Sequence, residues 1–330
     1  MFCLKNVLFI LKSWIFHFGD YIIRELNSYT SIPTISQFLE NNGQDIRLLY
    51  TGSNCWSSLK RAAGRISYTD DEITKRLVKG MSNLIHHNTS SFLHFVERFI
   101  SGEKVYLEKE NSTYALMLYY VLYQDRVAKA GFSNIYEALE LIHDKKYVCF
   151  KQEILEIVSY LLADLKLKTS PLCSDIIPGL ELYGCYTREE IFTLVGRQTA
   201  DVRMQGAASG VFNLQEYNAT ILFVTLNKSD KEFSPSTLYD DYLINEEYFH
   251  WQSQNTDSHF NNGGKRYTEQ DKTNSKIILF VRQNKKDGYG NTSPFHCFGF
   301  VDYISSNGDF PMNITWKLQE PAMPQYIKAI

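Results

Sequence analysis

Apolar residues recur every three or four positions through most of the first half of the chain. Between residues 151 and 165, Ile154, Ile157, Val158, Leu161, Leu162 and Leu165 fall on one face of a helix. The same period runs through residues 73–84, 92–100, 114–123 and 135–142, with breaks at Ser101-Gly102 and Gly131. This pattern predicts a helical bundle. Thr34, with Gln37 three residues on, has the capping-box spacing that satisfies free amides at a helix start. Between residues 169 and 184 the pattern gives way to Ser170-Pro171, Ile177-Pro178-Gly179 and Gly184, which is turn chemistry and marks the expected boundary. Thr187 with Glu190 then forms a second capping box, and Gly196 supplies a helix stop.

Beyond that helix the period shortens. Residues 210–214, 220–226, 276–282, 295–303 and 312–318 are β-branched and aromatic runs bounded by Gly, Asn, Asp and Pro, as strands are. Their spacing, without long intervening helices, predicts a mainly antiparallel, barrel-like sheet. The fold expected is therefore α+β, with a helical domain over residues 1–170 and a β-barrel domain over 171–330.

Composition narrows the function. The 330 residues are 44% hydrophobic and 22% charged, ordinary for a folded chain of about two domains. A formal net charge of −3 argues against a uniformly basic nucleic-acid binder, so any phosphate affinity must be local. Residues 265–286 are such a segment: Lys265, Arg266, Lys272, Lys276, Arg282, Lys285 and Lys286 stand against Glu269 and Asp271. It reads equally as a phosphate track and as a solvated rim. Cys3, Cys55, Cys149, Cys173, Cys185 and Cys297 are scattered without zinc-like spacing, which predicts a reducing cytoplasm, no structural metal and no cofactor. The apolar stretch over residues 1–18 is interrupted by Lys5 and Lys12, and is expected to be a buried helix and not a membrane span or signal.

Catalytic signatures are missing. Gly263-Gly264-Lys265-Arg266 lacks the upstream glycine and the Ser or Thr of a phosphate-binding loop. There is no G-x-S-x-G, no H-E-x-x-H and no His-x-Lys of the phospholipase-D type, and Gly288-Tyr289-Gly290 lacks the third glycine of a dinucleotide loop. The expectation is a chain that is not an enzyme.

One stretch carries recognition chemistry. Phe249-His250-Trp251-Gln252-Ser253-Gln254 strings aromatic, imidazole and amide groups together, with Asn227-Lys228-Ser229 and Tyr239-Asp240-Asp241-Tyr242 before it. Flat rings, amides, carboxylates and cations are what a nucleobase reader needs. Trp251 with Tyr239 or Tyr242 offers stacking faces, and Asp241 offers an acceptor for the exocyclic amine of cytosine. His250, Gln252 and Gln254 add hydrogen-bonding edges, and Asn227, Lys228 and Ser229 end a predicted strand. Each has a structural alternative: Tyr242 and Trp251 as core, Asp241 as a turn cap, the 227–229 step as a hairpin. Asp302 beside Tyr303 is a second carboxylate–aromatic pair competing with Asp241.

Tyr186-Thr187-Arg188-Glu189-Glu190-Ile191, Phe223-Val224-Thr225-Leu226-Asn227-Lys228-Ser229, His250-Trp251-Gln252-Ser253-Gln254 and Ile314-Thr315-Trp316-Lys317-Leu318 resemble a bacterial family of domains of unknown function, number 3427, that closes large superfamily-2 restriction helicases. Ile35-Ser36-Gln37-Phe38-Leu39-Glu40 and Asp45-Ile46-Arg47-Leu48-Leu49-Tyr50 resemble the helical segment that precedes it there. The resemblance implies a coupler followed by a target-recognition barrel similar to the SRA, EVE and PUA modified-base readers. It also implies a phage-defence role alongside helicase and nuclease domains in a parent or neighbouring polypeptide, and a beginning where a longer parent was truncated. The partner it implies is duplex DNA carrying 5-methyl- or 5-hydroxymethylcytosine, as in type IV restriction enzymes, with no membrane partner. A structural coupler without a base pocket, or an RNA- or nucleotide-binding barrel, are the other classes open.

Overall fold

The computed structural model describes residues 18–165, 169–172, 176–204, 209–228 and 240–324. Residues 1–17 of the apolar N-terminal stretch, and with them its expected helix, lie outside the described residues, as do Ser229 and Tyr239. The chain divides into two compact units, residues 1–165 with 198–203, and residues 166–197 with 204–330.

The first unit is helical: α1 (18–28), α2 (Ile35–Asn42), α3 (Trp56–Ala62), α4 (Glu72–Met81), α5 (Ser90–Ile100), α6 (Ser112–Tyr123), α7 (Val127–Ala130), α8 (Ile135–Glu140) and α9 (Val148–Ala163). Helix α9 contacts α2, α3, α4 and α5. Its stripe of Phe150, Ile154, Ile157 and Val158 is fully buried, and each such side chain contributes roughly 1.5–3 kcal/mol by leaving water. Glu153 lies in the same interior. Its carboxylate accepts the backbone amides of Trp56 and Ser57, each at 2.8 Å, which helix geometry leaves unpaired at the start of α3. Burial raises the Glu153 carboxyl above its ordinary range, against those donors. One turn further, Glu156 accepts the first amide of α2, Ile35 N, at 2.9 Å.

Thr34 and Gln37 form the expected capping box. Helices α4 and α6 cross closely at Gly80, where a Cβ would sit 2.5 Å from the Leu122 carbonyl oxygen. The 198–203 segment is tied into this unit by Tyr120 Oη donating to the Thr199 carbonyl at 2.6 Å and by Val127 N donating to the Ala200 carbonyl at 3.0 Å.

The second unit begins with a two-stranded antiparallel pair, β1 (Ser170–Pro171) and β2 (Glu181–Leu182). Helix α10 (Arg188–Leu194) starts at the Thr187–Glu190 capping box and is followed by Gly196 at φ +69°, as the sequence predicts. The main sheet has eight strands: β3 (Cys185–Tyr186), β4 (Val211–Leu214), β5 (Ala219–Thr225), β6 (Tyr242–Leu243), β7 (Tyr248–Gln252), β8 (Lys276–Arg282), β9 (Phe295–Asn307) and β10 (Asn313–Leu318). Its order is β4-β5-β8-β9-β10-β7-β6, with β3 also pairing β9. Among the described residues only β5 and β8 run parallel.

Alternate residues of these strands turn to a single core that includes Leu222, Leu279, Phe298, Trp316, Trp251 and Phe249. The other face carries a ring cluster in which Phe192 of α10 lies 4.7 Å from Phe212 and 6.2 Å from Phe223.

The expected barrel does not close. Among the described residues no strand pairing joins β4 to β6, so the sheet is open. Side chains span the gap instead: Lys228, after β5, pairs with Asp241, before β6, and Gln254 Nε2 donates to Ser209 Oγ at 3.1 Å. Two short helices that the sequence pattern did not announce, α11 (Asn262–Thr268) and α12 (Gln270–Thr273), precede β8. Gly264 makes the first possible, because a Cβ there would fall 2.0 Å from the Ser258 carbonyl oxygen.

Candidate nucleic-acid interface

The 248–252 run is strand β7, paired on one side with β6 and on the other with β10. Strand geometry sends its successive side chains to opposite faces. Phe249 and Trp251 enter the core, while Tyr248, His250 and Gln252 turn outward. Cross-strand register then builds rows on the outer face. Tyr242, His250, Thr315 and Ser305 form one, and Gln252, Asn313 and Asn307 the next. A third holds Tyr248, Lys317 and Asp302.

The first row presents aromatic surface. The Tyr242 and His250 rings stack with centroids 4.6 Å apart and planes 13° off parallel, and Tyr242 is 45% exposed. His250 is held by its Nδ1, 2.7 Å from the Asp240 carbonyl oxygen. The second row presents amides: Gln252 Nε2 donates to Asn313 Oδ1 at 2.9 Å, Asn313 Nδ2 donates to Asn307 Oδ1 at 3.3 Å, and Gln252 Oε1 accepts the Asp240 amide at 2.9 Å. Lys317 is an exposed cation in the third row.

The remaining predicted residues separate. Trp251 is 4% exposed, its indole 5.1 Å from the Tyr267 ring and 6.3 Å from that of Trp316, so the core reading holds and no open face remains for a base. Asp241 is enclosed too. One oxygen meets Lys228 and the other accepts the Gln252 amide at 2.9 Å. Burial pushes its carboxyl above the ordinary aspartate range, against the Lys228 ammonium. Asn227 Nδ2 donates to Asn284 Oδ1 at 3.1 Å, and Gln254 is directed to Ser209, so neither joins the outer rows.

The predicted basic segment also divides. Arg282 is a buried internal residue: Nε donates to Thr225 Oγ1 at 3.0 Å, an Nη to the Ser293 carbonyl at 3.1 Å, and the guanidinium lies 4.3 Å from the Phe295 ring centre. Lys265 and Arg266 are on α11, whose continuation leads into β8, whereas the exposed Lys285 and Lys286 follow the strand's other end. Seven strand residues at about 3.3 Å each separate those ends by roughly 23 Å. Asp302 and Tyr303 point to opposite faces of β9: Asp302 accepts from Gln319 Nε2 at 2.9 Å, and Tyr303 packs on Trp316 in the core. Sequence reasoning missed Tyr248, Thr315, Asn307 and Asn313, whose signal was the two-residue alternation of β7, β9 and β10.

No curated protein matches the chain. Residues 180–329 match the model of a family described as "Domain of unknown function (DUF3427)". The matched segment holds the eight-stranded sheet, and with it the whole of this aromatic and amide face.

Proposed function

We propose that the second unit is a nucleic-acid recognition module without phosphate-transfer or strand-cleaving chemistry of its own, and that it holds an unstacked base on the outer face of β6, β7, β10 and β9. The observation that carries this reading is the exposed, parallel Tyr242–His250 pair beside a row of amides. Stacking on an aromatic ring contributes roughly 1–3 kcal/mol per base and tolerates any base, while amides discriminate base edges. Relative to the sequence expectation the roles move: Tyr242 and His250 take the base in place of Trp251, and Gln252 with Asn313 read its edge in place of Asp241. Lys317 on the same face supplies a phosphate contact.

The further reading, that the base is 5-methyl- or 5-hydroxymethylcytosine turned out of duplex DNA for a restriction helicase–nuclease, rests on the family resemblance. The test is fluorescence anisotropy with single-stranded, plain, methylated and hydroxymethylated duplex DNA. Tyr242→Ala is expected to weaken binding by roughly 5- to 150-fold, the equivalent of one lost stack. A folded Tyr242→Ala protein that binds every probe like the parent overturns the recognition reading. Equal affinity of the parent for the three duplexes overturns the modified-base part alone.

A further inference from the structure

At the rim of the sheet core the loop before α11 meets the hairpin between β9 and β10, and four polar side chains there form one hydrogen-bonded line. The His259 amide reaches Asp309 Oδ1 at 2.7 Å, and its ring Nδ1 reaches the same oxygen at 3.0 Å. Its Nε2 lies 2.7 Å from Ser306 Oγ. The Tyr303 hydroxyl lies 2.7 Å from that same Oγ.

Proton counting fixes the direction of every bond. The amide and ring of His259 hold the Asp309 carboxyl below its usual range, so at neutral pH it is ionised and only accepts. Nδ1 therefore donates. A neutral imidazole then has its lone pair at Nε2, so the one hydroxyl proton of Ser306 points there. The Tyr303 hydroxyl is left to donate to Oγ.

This is the order of nucleophile, base and orienting carboxylate that acyl-transfer sites share on unrelated folds, recognised by geometry and not by sequence position. We propose that Ser306 is a nucleophile toward carboxylic esters of small apolar acyl groups. His259 is its general base, Asp309 the positioning residue that sets the His259 tautomer, and Tyr303 the donor to the developing oxyanion. The surroundings fit that substrate class. Tyr303 is held firmly, its amide donating to Gln270 Oε1 at 2.7 Å and its ring edge-on to Trp316 at 6.3 Å. Ser306 is half-buried and lies where β9 runs on past the end of its pairing with β8, which stops at Val301. Phe260 and Phe310, next in sequence to His259 and Asp309, are 83% and 60% exposed and offer apolar surface to an acyl chain.

In the reaction, Ser306 Oγ bonds to the ester carbonyl carbon as its proton passes to His259 Nε2. The bond from that carbon to the leaving oxygen then breaks, and the departing alcohol takes the proton. Water repeats the sequence on the acyl-serine: its proton goes to Nε2, the acyl bond to Oγ breaks, Oγ takes the proton back and a carboxylic acid leaves. Nothing is oxidised or reduced.

The experiment uses the full chain, a fluorophosphonate probe and p-nitrophenyl acetate. Expected are one covalent label per chain, mapped by mass spectrometry to the peptide containing Ser306, and a matching burst of p-nitrophenolate. Ser306→Ala is expected to abolish both, and His259→Gln to slow them by at least about 100-fold, the lower range for a general base. Asp309→Asn is expected to slow labelling and to shift the imidazole ¹⁵N signals of His259 toward the Nε2–H tautomer. A purely structural clasp would not produce a label in the parent at all. Ser306→Cys, the closer isostere, provides a second check independent of any folding defect in Ser306→Ala, with thiol-directed alkylation that is faster when His259 is intact. A folded parent chain that takes no label, or a label that maps elsewhere or persists in Ser306→Ala, overturns the proposal.

Discussion

Each unit contains an aspartate paired with a lysine, and the two pairs behave in opposite ways. In the helical unit Asp71 caps α4 through the Thr74 amide at 2.7 Å and meets Lys146, with side chains 26% and 43% exposed. Burial pushes its carboxyl up, but the Lys146 ammonium and the Thr74 amide prevail and hold it at about 2, below the ordinary 3.8. In the sheet unit Asp241 and Lys228 are 2% and 8% exposed, and there burial prevails over the lysine, so the carboxyl rises. The same two functional groups are thus a modest surface contribution in one place and a desolvated pair in the other. The sign of the pKa change follows from how much water remains. A buried pair of this kind is a fastening that depends on both members, because each alone is a charge without solvent.

The largest effect that separates the two pairs is loss of one partner. Lys228→Met leaves Asp241 enclosed without its cation and is expected to lower stability by about 3–5 kcal/mol. The double variant Lys228→Met/Asp241→Leu is expected to recover most of that loss in denaturant titration. A Lys228→Met protein as stable as the parent would show that the pair is not desolvated. Asp71→Ala is smaller: loss of an N-cap and a half-exposed ion pair is expected to cost about 1–2 kcal/mol. If it equals the Lys228→Met effect, the contrast between the units fails.

The smallest and most diagnostic effect is in acid. A lowered carboxyl contributes stability that is present above its unfolded value near 3.8 and lost as pH falls toward about 2, so the advantage of the parent over Asp71→Asn is expected to shrink across that window. A raised carboxyl has the reverse sign. Stability is present below the unfolded value and lost as pH rises through the folded one, so the parent is expected to gain on Asp241→Asn as pH falls. Parallel unfolding curves of the three proteins between about pH 2 and pH 6 would show whether the two differences move in opposite directions; a common direction would remove the distinction.

The helices and most strands were legible because each is an apolar run of the right length and residue type set between polar, glycine or proline breaks. Residues 276–282 are β8 end for end, and 114–123 fall within α6. The capping boxes at Thr34 and Thr187 were legible because their chemistry is local. Strand β7 was harder. Phe249-His250-Trp251-Gln252 reads as a surface run if taken whole, yet its alternation places Trp251 in the core and His250 outside. What the sequence could not reveal are pairings across long separations. Lys228 finds Asp241 across the 229–239 segment, and Ser306 finds His259 only because the loop before α11 folds over the end of β9. No local motif announces either. The basic segment misled for the same reason, since nearness in sequence across β8 is distance in space.

The return of residues 198–203 to the helical unit has a consequence for taking this protein apart. The peptide crosses the division three times, after Leu165, after Arg197 and after Arg203, so neither unit is one uninterrupted stretch of gene. A clone that stops at residue 165 removes the Thr199 and Ala200 carbonyls that Tyr120 Oη and Val127 N reach, and a clone of residues 180–329 alone carries those acceptors away on an orphaned loop. Circular permutation or co-expression that keeps 198–203 with the helices is the cut that respects the architecture.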